Sequence, residues 1–134
     1  MQISGTEKQA AFAATIIDTM ASVDTTPPEL SDPSSITDAE DPSGDRRGQL
    51  IRSNQLAKAA YNEAVSAQAA GQVLDMIRKD DHEGADALMV EADSDATKRE
   101  YMGLVAACFK NGSLDANSII DRFKSVFCRI RDSW

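Results

Sequence analysis

Between Asp24 and Asp45 the chain carries all four of its prolines (Pro27, Pro28, Pro33 and Pro42) and seven carboxylates, with no lysine or arginine. Few apolar side chains interrupt the stretch. It cannot bury enough surface to offset the entropy of ordering its backbone, so the sequence predicts a flexible acidic linker over residues 24–45. That break divides the chain. An amphipathic helix over residues 1–23 precedes it, and a helical domain over residues 46–134 follows.

The division sets the scale of the fold. Of 134 residues, 89 lie beyond the break. They suffice for one small core, though a marginal one. Hydrophobic residues make up 42% of the chain and aromatics only 5%, so alanine supplies much of the apolar content. Alanine favours helix and lets helices approach closely, but it adds little buried area. The fold class expected is all-α: about four helices in a small bundle, with the N-terminal helix attached through the acidic Pro/Ser-rich linker.

Helical spacing and stop signals place the elements. Ser4 and Glu7 have the spacing of a capping box. Phe12, Ile16, Met20 and Val23 then recur at four- and three-residue steps, with Ala13 and Ile17 beside them. Pro27-Pro28 forbids continuation of that helix. From about Gln49 to Lys79 the chain reads as one long helix, capped by Ser43 or Asp45 and thin-walled through its alanine-rich middle. Gly71 weakens that helix by about 1 kcal/mol relative to alanine and is a candidate bend. A short third helix starts at an Asp80/Glu83 capping box. Asp93-Ser94-Asp95 restarts the chain into a fourth helix, which Asn111-Gly112 stops. Ile119, Ile120, Phe123, Val126, Phe127 and Ile130 form the cleanest apolar stripe, opposite Arg122, Lys124, Arg129 and Arg131. No alternating strand of four residues or more is visible, and no fixed repeat.

Charge is unevenly spread. The net charge is −8, with a pI near 4.5. Residues 80–95 hold seven acids and no lysine or arginine, whereas residues 96–134 hold seven bases and four acids. Such a chain repels nucleic-acid phosphate over most of its surface. The basic face of the last helix is expected to pair with the acids of residues 80–95. Two cysteines, Cys108 and Cys128, are too few for a disulfide framework and sit in apolar helical contexts, as buried thiols of a reducing compartment do. The first helix has no basic leader and too short an apolar run for a cleaved signal peptide or a membrane span. The expected location is the cytoplasm, or outside the cell by export without a cleaved hydrophobic signal.

No motif specifies a reaction. His82 stands among Asp80, Asp81, Glu83 and Asp86, but a zinc site needs further ligands that the sequence does not supply. Lys110 to Ile120 is similar to the second half of an EF-hand calcium loop, with Gly112 at the turn and Leu114 at the apolar position. The oxygen ligands are missing, since Ala107, Phe109 and Ser118 stand where they belong. Neither cysteine has a base or an orienting group nearby. The expectation is a protein that is not an enzyme and uses neither cofactor nor metal.

What remains is contact between proteins. The leading expectation is a non-enzymatic adaptor or regulatory protein that docks on a protein partner, or on itself, through amphipathic helices. The residues proposed to make the contact are Phe12, Ile16, Met20 and Val23 from the first stripe, and Ile119, Phe123, Val126, Phe127 and Ile130 from the last. The alanine-lined surface of the long helix is a further candidate. The bland competitor is that the two stripes close one internal core. Two other functions fit the composition: a secreted effector or chaperone-like helper of a bacterial specialised export system, and an acidic decoy that occupies a nucleic-acid-binding protein.

Overall fold

The first helix is where the architecture is decided. In the computed structural model, which describes residues 2–132, α1 (Glu7–Ala21) packs against both α2 (Asp45–Arg78) and α5 (Ala116–Asp132). Ala13, Ile16, Ile17 and Met20 form its buried face, and Val23 just beyond it is buried too. The spacing is the i, i+3, i+4, i+7 pattern of a core-facing helix. Phe12 sits at the edge of this face, its ring meeting Phe127 edge-on at 5.8 Å between centroids. Helices α3 (His82–Ala92) and α4 (Ala96–Ala106) cover the C-terminal half of α2 from another side.

The protein is predominantly helical, but a small sheet joins its ends. Strands β1 (Ile3–Ser4), β2 (Phe109–Lys110) and β3 (Ser113–Asp115) line up in the order β1-β3-β2. β1 runs parallel to β3, with Ile3 opposite Leu114 and Ser4 opposite Asp115. β2 and β3 form a hairpin whose two central residues, Asn111 and Gly112, both have positive φ. Two such residues make a tight turn that matches the twist of the strands, and Asn-Gly is the pair that tolerates it best. The Asn-Gly signal therefore marks a hairpin, and α4 has already ended at Ala106. An all-α expectation misses this sheet because strands of two or three residues are too short to show alternation.

Several caps also differ from expectation. Thr6 caps α1 in a reciprocal box with Gln9, and Ser4 instead donates from its Oγ to the Leu114 carbonyl in the sheet. Gly44, with left-handed backbone, precedes α2, and the first-turn amides of Asp45 and Arg47 donate to Ser43 Oγ and the Asp41 carboxylate. Asp81 caps α3 through the Gly84 amide; Asp80 turns the corner before it with φ of 61°. Asp95 caps α4 and Asp115 caps α5 through the Ser118 amide and hydroxyl. These hydrogen bonds, from the Ser118 hydroxyl first, hold the Asp115 carboxyl below its usual range.

Gly71 does not mark a bend. α2 continues unbroken from Asp45 to Arg78, and Gly71 is buried where α1 crosses it. A Cβ there would lie 2.8 Å from the backbone carbon and the Cβ of Met20, and would strike the Ala21 amide nitrogen. Glycine is the contact point between two helices that run in opposite directions. Gln68 donates to the Val23 carbonyl just past the crossing, and Arg78 reaches Asp18 just before it.

Two outcomes follow from this packing. Gly71→Ala adds helix propensity of about 1 kcal/mol, yet the overlap costs about 1–3 kcal/mol. We expect a net loss of stability in urea unfolding, and more for Gly71→Val. Deleting residues 1–24 removes Ile16, Ile17 and Met20, each worth about 1.5–3 kcal/mol when buried. Against a total of about 5–15 kcal/mol for a small domain, that loss is decisive. The remaining chain is expected to lose its cooperative thermal transition; retention of that transition contradicts the packing.

Candidate functional site

The side chains that the sequence offers for docking are occupied by one another. Ile16, Met20, Val23, Ile119, Phe123, Val126, Phe127 and Ile130 are all buried in a single core. Phe12 keeps the most solvent exposure of the nine, 37%, at the rim beside Phe127. Both stripes close the chain on itself, and the surfaces left open lie elsewhere.

The conspicuous one is the first half of α2. No residue of this helix before Ser66 is buried. The acidic segment, laid antiparallel along one side, gives that half its neighbour. Asn54 Nδ2 donates to the Ser31 carbonyl at 2.7 Å. The Arg47 guanidinium reaches the Ile36 carbonyl and pairs with Asp38 at 3.2 Å. Its backbone amide donates to the Asp41 carboxylate, and that amide bond, first, holds Asp41 below the usual carboxylate range. Asp41 is buried, and a 3-10 turn at Pro33–Ser35 sits in the same strip. Shallow grooves separate strap and helix, one of them lined by Pro28, Ala57, Ala60, Tyr61 and Ala64.

The opposite side of this arm faces solvent. At 100° per residue, Ile51, Arg52, Gln55, Leu56, Lys58 and Ala59 share it. Leu56 is 72% exposed and Ile51 41%. From Arg46 to Asn62 there are four bases (Arg46, Arg47, Arg52 and Lys58) and no carboxylate, in a chain whose net charge is −8. Sequence reading assigned the basic face to α5 alone and missed this row. It is legible as a run of four bases without an acid, but only the structure shows that among the described residues no α-helix covers it.

Where the arm enters the core, a polar clasp ties three helices. Glu63 on α2 accepts from the Tyr101 hydroxyl on α4 at 3.1 Å and pairs with Arg129 on α5 at 2.6 Å. Burial first, then the Glu63 carboxylate, raises the Tyr101 pKa above its ordinary value. Arg131 pairs with Asp132 and stacks over the Phe127 ring. Among the described residues no ion pair joins α5 to residues 80–95, contrary to the expected internal pairing. Asp81 and Asp95 cap helices instead, Asp80 lies beside His82, and Glu83, Asp86, Glu91 and Asp93 face solvent.

The other candidates are dispersed. His82 lies exposed, 3.9 Å from Asp80, and among the described residues no three metal-binding side chains converge. Lys110 sits 3.6 Å from Asp115 in the loop that resembles half a calcium site, and the Asp115 carboxylate is engaged at the start of α5. Cys108 is buried and donates to the Leu104 carbonyl; burial pushes its thiol up to about 11. No described helix is long and apolar enough to cross a membrane. The fold thus defines a mostly helical protein with a three-stranded sheet and one helix half buried, half bare. Comparison of the chain with protein-family models, with curated proteins and with solved structures finds no match.

The two thiols differ enough to test the placement. In native buffer near neutral pH, a thiol reagent is expected to label half-buried Cys128 first, and Cys108 only on unfolding. Because the folded thiol of Cys108 ionises above its ordinary 9.0, its neutral form favours the fold below that pH. That contribution is lost as pH climbs from about 9 toward about 11, so the urea midpoint is expected to fall across this window. Cys108→Ala, measured in parallel, is expected to fall less steeply.

Proposed function

We propose that this chain is a non-enzymatic protein–protein interaction protein whose docking surface is the outward side of the α2 arm, from Arg46 to Asn62. The observation that carries the reading is the bare half of a 34-residue helix. A lone helix of that size is marginal in water. The acidic strap supports one side and leaves the other open, with Ile51 and Leu56 exposed between arginine and lysine side chains. Apolar anchors ringed by like charges suit a helical partner surface that is acidic and carries an apolar side chain of its own. Charge then steers the encounter and sets register, and the apolar contact supplies most of the affinity. The sealed Cys108 thiol and the exposed, weakly partnered His82 support a role without chemistry.

The test uses a fluorescent, acidic amphipathic helical peptide with a leucine seam, followed by anisotropy. The intact chain is expected to bind it, and more weakly in high salt. Leu56→Asp, and Arg52→Glu with Lys58→Glu, are expected to weaken binding about tenfold, a loss of about 1.4 kcal/mol, with unchanged circular dichroism. No binding by the intact chain, or equal binding by the variants, overturns the reading.

A further inference from the structure

The chain carries its own match for the arm. Helix α3 and its flanks, residues 80–95, hold seven acids and no lysine or arginine. Ala85 and Ala92 face the core, while Glu83, Asp86, Val90 and Asp93 lie exposed at three- and four-residue steps. Val90 is 75% exposed, more than any other large apolar side chain among the described residues, and Leu56 on the arm comes next at 72%. Each stands among charges of one sign, and the two signs are opposite. Within one molecule the two surfaces do not meet: α3 packs on the C-terminal half of α2, and the arm is the other half.

We infer that the acidic helix received by the arm is α3 of a second copy, so that two chains pair with their α2 helices antiparallel and each arm lies on the other's α3. The inference rests on the docking reading of the arm and names its occupant. Antiparallel pairing sets the arm of one chain opposite the α3-bearing half of the other, and a two-fold axis uses both surfaces twice. Length permits it: the arm spans about 26 Å and α3 about 17 Å at 1.5 Å per residue. The net charge of −8 opposes association at long range. Charges farther apart than about 8 Å are largely screened at physiological salt, however, whereas the facing pairs lie closer than that. Ile51, on the side of α2 that α3 occupies farther along, leaves water together with Val90 in each contact.

Sedimentation velocity of the full chain, with reductant present so that Cys128 cannot link copies, tests the pairing. The wild-type chain is expected to pass from monomer to dimer as its concentration rises. Its dissociation constant is expected to increase at least about tenfold between about 0.1 M and about 0.6 M salt. One variant, Arg52→Glu with Lys58→Glu, and another, Glu83→Lys with Asp86→Lys, are each expected to stay monomeric with native circular dichroism. Mixed, they are expected to form a one-to-one dimer, because each reversed surface then meets its reversed match. A wild-type chain that is monomeric throughout, variants that dimerise alone, or a mixture that stays monomeric overturns the inference. Should the chain stay monomeric and still bind the acidic peptide, the docking reading stands and only the second copy falls; should the peptide fail to bind, the docking reading itself falls.

Discussion

The close contact of α1 with α2 at Gly71 is the constraint on which the rest of the molecule depends. A glycine there lets the backbone of Met20 and Ala21 reach the surface of α2. That approach carries Ile16, Ile17 and Met20 into the space between α2 and α5, where they are fully buried. With aromatics at only 5% of the chain, the core has few large side chains to spare. Helices made of small residues gain by packing close, because dispersion contacts multiply as backbones approach. The first helix is held at both ends: β1 ties its start to β3, and Gln68 binds the Val23 carbonyl beyond its end.

The same long helix that completes the core also leaves it. From Ser66 to Ile77, α2 is the surface on which α1, α3 and α4 pack; before Ser66 it has no buried residue. Glu63 marks the boundary, clasped by Tyr101 and Arg129. A helix anchored on one side of that clasp and bare on the other presents its side chains at regular helical spacing. Its order is supported from within by the C-terminal half. The acidic strap follows the arm and contributes hydrogen bonds at Asn54 and Arg47 without covering Ile51 or Leu56. Charge is segregated along the fold in the same way, basic on the arm and acidic from Asp80 to Asp95.

Much of this was legible in the sequence. The five helices follow from three- and four-residue apolar spacing, and the last stripe, from Ile119 to Ile130, is buried as its pattern implies. Asp95 acts where a capping residue was expected. Other features were hidden for physical reasons. The strands are two or three residues long, below the length at which alternation can be read. Gly71 looks like a weak point in a helix because propensity is local, whereas the close neighbour that requires it, Met20, lies 51 positions away. An acidic, proline-bearing stretch reads as a free tether because its composition buries little, yet a few directed hydrogen bonds from Arg47 and Asn54 lay it along a helix. An amphipathic stripe also looks the same whether its groove belongs to the chain or to a partner, so α1 and α5 could not be matched to each other from spacing alone.

Amide hydrogen exchange of the intact chain tests the central claim most directly. If α1 is part of the core, the amides of Ile16, Ile17 and Met20 exchange as slowly as those of Phe123 and Val126, and all report one global opening. Amides near Leu56 exchange faster, through local fraying of the arm. Rapid exchange across α1 while α5 stays protected would mean that the first helix stands apart from the domain, and the packing at Gly71 described here would be contradicted.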